Sequence, residues 1–519
     1  MLTAVSELRR AEDTARSDRV PKYYTAVLVL ILTVELLAVW LPAYSALTDF
    51  PVHVVRTQVL ADYDSSPLYQ RLFIKSVLPN PNMAIDYLAT PLVRYLGPVA
   101  AGKVFLSLVV VLFVGGCHLL GRAIHGASSW VSLGCALLAF HGSYQDGFAN
   151  YSFSLGLLLV GLALWYRWRA AWTASRLLCL SALLTALFVA HLVGFGVALV
   201  VMGAFWLRET FEHRLLSKRT VLEAAAFLPA FGIWLSLPRS HGVAIRWGLI
   251  EWSTPLEKLA GSFTLFRSGS TVIDAVTCVV LALLAFLVVR RRCDYVRSFL
   301  GVGLLLYGIS LVMPRRFLID SSGADQRLMI PALLFCLLAL RFPESRLGRH
   351  LGIAIFVLLG CRLLYQYEMS RRASRVTQNV VELVDRIPSG ERFWMVLERQ
   401  RIFRRNCSAG AYGLIRSGAI TTGYIALPFQ QPIWFRHPPT DPQQMPAELT
   451  VSLAGSTLRG FRYTVVCGFG GTRNQALAPF ASEVAASGPC SLWRTKDESA
   501  VQPARPSSPR GAQWRQAMR

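Results

Sequence analysis

The sequence has few charged residues, and few of those are acidic. Of 519 residues, 16% are charged, with 53 lysines and arginines against 30 aspartates and glutamates. Because a soluble globular chain carries about 25% charged residues, this composition excludes an ordinary soluble protein. The ten cysteines lack CxxC spacing, so the common zinc and redox motifs are absent. The basic N-terminal segment is not followed by a small-residue cleavage site, so residues 24–42 are predicted to remain as a first membrane span.

The net charge of +23 does not indicate nucleic-acid binding. Basic residues cluster where apolar runs end, as in Arg167–Arg169 and Arg290–Arg292, which is typical of cytoplasmic loops. No basic stripe interleaved with aromatic residues marks a soluble module. We therefore expect a membrane as partner and no nucleic acid.

Apolar runs of nearly membrane-spanning length recur along the chain. Hydrophobic residues make up 54% of it, and a helix needs about 20 apolar residues to cross a bilayer. When basic loops are placed inside, eleven spans result, with the N-terminus in the cytoplasm. The predicted spans are 24–42, 99–120, 128–142, 150–166, two short spans dividing 177–206 near His191, 220–237, one ending at Arg290–Arg292, 298–313, 328–341 and 350–366.

The chain is predicted to have four parts. They are a cytoplasmic segment 1–23, a transmembrane domain 24–369 with a long first outer loop 43–98, a small α/β domain 370–498 outside the cytoplasm, and a disordered tail 499–519 rich in Pro, Ser and Arg.

The C-terminal part has the patterning of a folded domain. Apolar β-formers predict buried strands at Phe393–Leu397 and Tyr463–Cys467, and short helices are predicted at Ala409–Gly418 and Ala476–Ser487. One disulfide among its three cysteines is compatible with an outside location, but the spacing does not select the pair. These cysteines are Cys407, Cys467 and Cys490.

The stretch Leu47–His53, at the start of the long outer loop, contains an acidic residue, Asp49, which is predicted to lie at the membrane surface. Helix N-capping alone would account for Asp49, because the residues after it suit a first helical turn. Capping does not account for His53 and Arg56, which lie one turn apart on one helix face below Asp49. Together the three side chains are predicted to bind a polar, anionic substrate. Asp49 would be a general base or the ligand of a divalent cation.

Arginines on a predicted outer loop form a second candidate cluster. Arg315, Arg316 and Arg327 depart from the positive-inside trend, so they need another role. The planar guanidinium binds two phosphate oxygens at once, which predicts a lipid phosphate or diphosphate as ligand. Headgroup anchoring, or pairing of Arg327 with an aspartate, is the alternative.

Further polar residues near the predicted outer ends have two interpretations each. His191 lies at the turn between the paired short spans and is either a buried structural histidine or part of the site. Asp86 begins another surface helix and is favoured as structural, with substrate binding as the alternative. Asp146 and Asn150 either reach the same cavity or cap the fourth span.

The segment 20–366 resembles the GT-C superfamily of integral-membrane glycosyltransferases, and Asp49–Gly102 is the most specific part. There an Asp opens a long outer loop, followed by a surface helix, a proline-containing turn and the lead-in Thr90-Pro91-Leu92…Leu96-Gly97-Pro98. The resemblance, to mannosyl- and arabinosyltransferases, implies a polyprenyl-phosphate-linked sugar donor, transfer at the outer face and Asp49 as catalytic base. Many relatives carry two adjacent acids here, whereas this chain has Asp49-Phe50. His53 is then the nearest second ligand for a Mg or Mn ion.

The sequence therefore predicts a multi-pass glycosyltransferase of a bacterial inner membrane that serves the cell envelope. Its acceptor would be a glycan, a lipid or a protein. The residues predicted to contact substrate are His53, Arg56, Asp86, His191, Arg315, Arg316 and Arg327, with Asp49 as the base. A lipid or solute transporter or flippase is the alternative, although it predicts ionisable residues deep within spans. A non-catalytic assembly protein with the same fold is a third interpretation.

Overall fold

The computed structural model describes residues 23–75, 80–214, 217–236, 250–290, 293–316, 323–341, 346–421, 432–436 and 461–496. The predicted N-terminal segment up to residue 22 and the predicted tail 499–519 lie outside the described residues. The predicted domain boundaries at 369 and 498 stay predictions.

Helices make up most of the described chain. In order they are α1 (Tyr24–Trp40), α2 (Phe50–Asp62), α3 (Pro67–Leu72), α4 (Ala84–Leu96), α5 (Pro98–His125), α6 (Trp130–Ala136), α7 (Gly142–Gln145), α8 (Ala149–Trp168), α9 (Ala174–Ala190), α10 (Leu192–His213), α11 (Lys218–Ala225), α12 (Leu228–Ser236), α13 (Pro255–Gly261), α14 (Thr271–Val289), α15 (Arg297–Val312), α16 (Ala324–Leu338), α17 (Arg346–Val384), α18 (Arg401–Arg404), α19 (Tyr412–Arg416) and α20 (Thr472–Leu477).

Among the described residues, five helices are long and apolar enough to cross a membrane, by length and composition. They lie in α5, α8, α10, α14 and α17, and the shorter apolar helices α1, α9 and α15 accompany them. The most apolar stretch of α14 has a mean hydropathy of 2.9, yet only 11% of it is buried. A helix that is apolar all round and unburied suits contact with lipid. The structure thus has the helices of a multi-pass membrane protein.

The central helix pair, α5 and α8, packs closely because of small residues. A side chain at Gly156 would place its Cβ 2.8 Å from the Cβ of Leu112 and equally near the nitrogen of Phe113. Small residues let helix backbones approach in this way inside membranes. The contact fixes α8 against α5, and the loop that precedes α8 carries part of the site described below.

The predicted span 128–142 is not one continuous helix, because α6 has only seven residues and α7 four. The buried Arg362 of α17 donates to the main-chain oxygens of Leu137 (3.4 Å) and Phe140 (3.0 Å). These bonds satisfy carbonyls freed where α6 ends, so the break is tolerated inside the bundle. The predicted span 220–237 is also divided, into α11 and α12, with a proline early in α12. The predicted count of eleven spans is not confirmed.

The C-terminal part contains a five-stranded mixed sheet. The described strands are β1 (Phe73–Lys75), β2 (Asp294–Tyr295), β3 (Leu340–Arg341), β4 (Arg392–Leu397), β5 (Ile420–Thr421), β6 (Ile433–Phe435), β7 (Tyr463–Cys467), β8 (Ala481–Ser487) and β9 (Cys490–Thr495). The sheet order is β5-β4-β7-β9-β8. β4 runs parallel to β5 and β7, whereas β9 runs antiparallel to β7 and β8. We call this sheet, with β6, α18, α19, α20 and the last turns of α17 from Ser374 on, the C-terminal unit.

The predicted strands at Phe393–Leu397 and Tyr463–Cys467 are confirmed as β4 and β7, and a disulfide joins Cys467 to Cys490 across β7 and β9. The predicted helix over Ala476–Ser487 is wrong beyond Leu477. Pro479 follows α20 and cannot continue a helix, and the chain turns into β8, an edge strand paired with β9.

The C-terminal unit docks on the first outer loop at several points. α17 has 39 residues, about 58 Å at 1.5 Å per residue, so it extends past its apolar part and its last turns pack into the core of the unit. Strand β1 of the outer loop pairs with β6. The amide of Tyr44 donates to the hydroxyl of Ser374 over 2.9 Å. Loop and unit are therefore one assembly.

A buried ion pair joins two of the helices of the first outer loop, α2 and α4. Arg56 of α2 donates to both carboxylate oxygens of Asp86 of α4, at 2.6 and 2.8 Å, and to Nδ1 of His53 at 2.8 Å. The side chains of Arg56 and Asp86 are 0% and 2% exposed. Burial and the adjacent Arg56 hold the pKa of His53 well below its usual range, so the ring is neutral and accepts this bond. Arg56 thus bonds to both of the other side chains, and its pair with Asp86 anchors α2 to α4.

Removing the acid of this triad should destabilise the protein. Asp86→Asn leaves the buried Arg56 without a counter-charge, which costs about 3–5 kcal/mol. The control, Asp64→Asn, breaks only an exposed pair with Lys75, worth at most about 1 kcal/mol. The thermal unfolding midpoint of the purified full chain measures both. Equal midpoints for the two variants would contradict the structural role.

Candidate functional site

The site is built on main-chain hydrogen bonds between the loop that carries Asp49 and the loop that carries Asp146. The amides of Thr48 and Asp49 donate to the carbonyls of Gln145 (3.3 Å) and Asp146 (3.1 Å). Gly147 has φ +83°, and a Cβ there would lie 2.5 Å from the nitrogen of Asp49 and 2.6 Å from that of Phe50. Only glycine fits this position. The contact brings Asp49 and Asp146 into one site.

Asp49 occupies the N-cap position of α2, but its side chain makes no capping hydrogen bond. The capping interpretation is therefore wrong for its carboxylate, although the predicted start of α2 at Phe50 is correct. Capping aspartates are retained because their oxygens bond to free amides. Asp49 is half-buried and does not do so, so its carboxylate is available for other chemistry.

The surroundings of Asp49 raise the pKa of its carboxyl group towards neutral pH. Burial and the neighbouring Asp146 carboxylate raise the pKa of Asp49 to about 6, and the positive charge of Arg327 opposes that rise. A general base works best when its pKa lies near the working pH. Asp49 therefore has the electrostatics of a general base.

Arg327, in the first turn of α16, is a cation of this site. Its guanidinium lies 4.1 Å from the centroid of the Phe148 ring, and its Nε is buried without a hydrogen-bond partner among the described residues. Its main-chain oxygen accepts a bond from the hydroxyl of Tyr151 at 2.6 Å. A buried guanidinium donor without a partner is costly, so an anionic ligand would stabilise it.

His191 lies next to this group. Its ring is 5.4 Å from that of Tyr151, and the charge of Arg327 acts on it. Its Nδ1 also accepts a bond from the amide of Val193 at 3.1 Å, so it caps α10. His191 therefore caps α10 at a place beside the site, and its predicted role in substrate binding stays a prediction.

The opposite side of Asp146 carries two further arginines. Arg267, after α13, donates to the Asp146 carboxylate at 2.6 Å and to the carbonyl of Gly142 at 2.8 Å. Arg405, from the C-terminal unit, donates to Oε1 of Gln145 at 2.6 Å. The sequence pointed only to Asp146, as a residue at the end of a span. No motif marks Arg267 or Arg405, because each is a single arginine far along the chain from Asp49.

Several predicted site residues lie elsewhere. Arg315 pairs with Glu257 at 3.4 Å and Arg316 with Glu251 at 2.9 Å, in exposed ion pairs. The charges that act on Asp49 within the described chain are those of Asp146 and Arg327. The structure thus brings Asp49, Arg327 and His191 together. It does not place the other five predicted residues in this group. They are His53, Arg56, Asp86, Arg315 and Arg316.

The proposed metal ligands are not gathered either. In the part of the chain that the structure describes, no group of three or more His, Cys, Asp or Glu side chains is arranged to hold a metal ion. His53 is engaged by Arg56 in the triad. Asp146, rather than His53, is the second polar group next to Asp49.

No protein-family model matches the chain, and no curated protein matches it in sequence. Solved structures do. The crystal structure of ArnT from Cupriavidus metallidurans bound to undecaprenyl phosphate is similar with a TM-score of 0.50 and 10% identity, over 94% of this chain and 100% of that one. The same protein in the apo state is similar with a TM-score of 0.52 and 11% identity, over 92% of this chain and 99% of that one. The arabinofuranosyltransferase AftD from Mycobacteria has a TM-score of 0.41 and 14% identity, over 91% of this chain and 40% of that one.

ArnT is a GT-C glycosyltransferase, and its match extends over nearly the whole length of both chains. At such low sequence identity the structural similarity indicates the fold alone. The protein has a GT-C-like fold.

Proposed function

We propose that the protein is a membrane glycosyltransferase that moves a sugar from a polyprenyl-phosphate-linked donor to an acceptor hydroxyl. The observation that carries the proposal is the Asp49 carboxylate, which caps no helix and lies beside Arg327 with a pKa of about 6. The GT-C-like fold, and the undecaprenyl phosphate bound by ArnT, support a lipid phosphate as the donor's carrier. The acceptor is a glycan, a lipid or a protein.

In this reaction Asp49 takes the proton of the acceptor hydroxyl as its oxygen bonds to the anomeric carbon. The bond between that carbon and the phosphate oxygen breaks, and the polyprenyl phosphate leaves as an anion. Arg327 is the cation next to the base, so it would stabilise the charge that grows on the phosphate. The buried Nε of Arg327 is a donor available for this.

We also propose that the site faces away from the cytoplasm of a bacterial inner membrane, with the N-terminus inside and eleven spans. The C-terminal unit docks on the first outer loop, so both would be on one side. The Cys467–Cys490 disulfide supports an oxidising compartment for the unit.

One observation favours the alternative, a lipid or solute transporter. Glu35 of α1 is fully buried, and neither carboxylate oxygen has a hydrogen-bond partner among the described residues. Ionisable residues within membrane spans often mark transport pathways. Movement of substrate across vesicles without covalent change would support this function.

The base is tested by Asp49→Asn in purified protein supplied with polyprenyl-phosphate sugars. We expect kcat/KM to fall by about 10²–10⁴-fold, the usual contribution of a general base, with donor binding retained. Asp64→Asn, an exposed acid of the same loop, is the control and should transfer sugar like the parent. Transfer by Asp49→Asn at the parent rate would overturn the assignment.

The pH profile tests the electrostatics. Since Asp49 must be deprotonated to act, kcat/KM should rise through about pH 6. Asp146→Asn removes the charge that raises the pKa of Asp49, so the midpoint should move to lower pH. Arg327→Gln removes the charge that lowers it, so the midpoint should move to higher pH. A midpoint that is the same in all three proteins would contradict Asp49 as the titrating group.

A divalent ion, Mg²⁺ or Mn²⁺, stays part of the proposal. Mg²⁺ is commonly held by one or two carboxylates together with substrate phosphate oxygens. Asp49 would be its ligand here in place of acting as the base, because His53 is engaged by Arg56 and Asp146 by Arg267. Chelation with EDTA should then lower kcat by about tenfold or more, since such an ion contributes several kcal/mol, and Mg²⁺ should restore it. Unchanged transfer after chelation would exclude the metal and leave the role of Asp49 standing.

A further inference from the structure

The helix α16 contains a proline four residues after Arg327. In an α-helix the carbonyl of each residue accepts from the amide four residues further on, and Pro331 takes that position inside α16. Proline has no N–H, and its ring crowds the carbonyl one turn before it. The main-chain oxygen of Arg327 therefore lacks its ordinary helical donor and is left for a partner outside α16.

The hydroxyl of Tyr151, in the first turn of α8, is that partner. It donates to the main-chain oxygen of Arg327 over 2.6 Å, and Tyr151 is only 1% exposed. Its ring packs at 75° to that of His191, with the ring centroids 5.4 Å apart. In membrane bundles, side chains of neighbouring helices satisfy carbonyls freed by proline in this way. Pro331 and Tyr151 together therefore determine how the main chain of Arg327 is bonded.

The segment from Gly147 to Tyr151 holds both the side chain and the main chain of Arg327. Gly147 packs against the amide of Asp49, where a Cβ would lie 2.5 Å from that nitrogen. The guanidinium of Arg327 lies 4.1 Å from the centroid of the Phe148 ring, and Tyr151 bonds to its carbonyl. The segment that is fixed against Asp49 therefore also fixes Arg327, so the separation of the two charged groups depends on it.

The start of α16 is held independently by a buried ion pair. Nζ of Lys258, in α13, lies 3.0 Å from Oδ2 of Asp325, and the two side chains are 7% and 0% exposed. The hydroxyl of Ser253 donates to the same carboxylate over 2.8 Å. These contacts keep the first turn of α16 in place without the Tyr151 hydroxyl. Loss of that hydroxyl should thus change the orientation of Arg327 and leave the helix folded.

Two charges of the described chain act on Asp49 from the elements around it. They are those of Asp146, in the loop before α8, and of Arg327. The thiol of Cys407, in the C-terminal unit, also lies near, but burial and the Asp49 carboxylate raise its pKa to about 12, so it stays uncharged. A change in the position of the Arg327 guanidinium should therefore change the protonation of Asp49.

We propose that Tyr151 is a positioning residue, whose hydroxyl takes the carbonyl that Pro331 leaves unpaired and so holds the guanidinium of Arg327 next to Asp49. Tyr151 acts on the base only through Arg327. The inference deepens the proposed function and rests on it in one respect, which is that Asp49 is the base.

The test is a pH titration of the Asp49 carboxyl by infrared difference spectroscopy of the purified full chain, without substrate and with Asp49→Asn as the reference. Tyr151→Phe removes the hydroxyl and keeps the ring. Because the guanidinium is then held less closely, the midpoint should rise by about 0.5 unit, or about threefold in the protonation equilibrium. Tyr63→Phe is the matched control, since its hydroxyl also donates to a main-chain oxygen, at the far end of α2. Its midpoint should equal that of the parent.

A double variant separates positioning from a general structural role. In protein that carries Arg327→Gln, adding Tyr151→Phe should leave the Asp49 midpoint unchanged, because the guanidinium through which Tyr151 acts is gone. The proposal is overturned if Tyr151→Phe alone has the midpoint of the parent. It is also overturned if Tyr151→Phe shifts the midpoint equally with and without the guanidinium of Arg327.

Pro331→Ala serves if Tyr151→Phe does not fold. It gives α16 the missing amide, which competes with Tyr151 for the carbonyl of Arg327, so the midpoint should again rise. An unchanged midpoint would then overturn the proposal. Because no substrate is present, the expected shifts in a protein that transfers no sugar would support the positioning role and contradict only the proposed function.

Discussion

The rest of the site depends on the main-chain contact between the Asp49 loop and the Asp146 loop. The absence of a side chain at Gly147 lets the two backbones approach. The contact sets two carboxylates in one site, and the repulsion between them helps to raise the pKa of Asp49. Gln145, in the same loop, then meets Arg405 of the C-terminal unit. Base, arginines and C-terminal unit all converge on this contact.

The buried arginines of the protein divide into two kinds. Arg56 and Arg362 are fully buried and bond to groups of the fold, which are an aspartate and a histidine for Arg56 and main-chain carbonyls for Arg362. Nη1 of Arg56 is nevertheless buried without a partner among the described residues. Arg327 has a buried nitrogen without a described partner, and Arg405 faces a cavity. The first kind holds helices together through these bonds, whereas Arg327 acts on Asp49, so its unpaired donor is placed to meet a ligand of that site.

The sequence predicted what depends on local pattern. Apolar runs gave the long helices, and apolar β-formers gave β4 and β7. Local pattern also put His53 and Arg56 on one face of α2, which is correct. It did not tell whether that face meets substrate or α4, because this depends on Asp86, 30 residues away. The break in span 128–142 was missed for the same reason, since the groups that satisfy its carbonyls lie on α17.

The central claim is that Asp49 is a carboxylate tuned as a base by burial, Asp146 and Arg327. The most direct measurement is a pH titration of the Asp49 carboxyl itself, by infrared difference spectroscopy of the full chain with Asp49→Asn as the reference. The account predicts a protonation midpoint near 6 that moves lower in Asp146→Asn. A midpoint near 4, the ordinary value for an aspartate, and unmoved by Asp146→Asn, would contradict it.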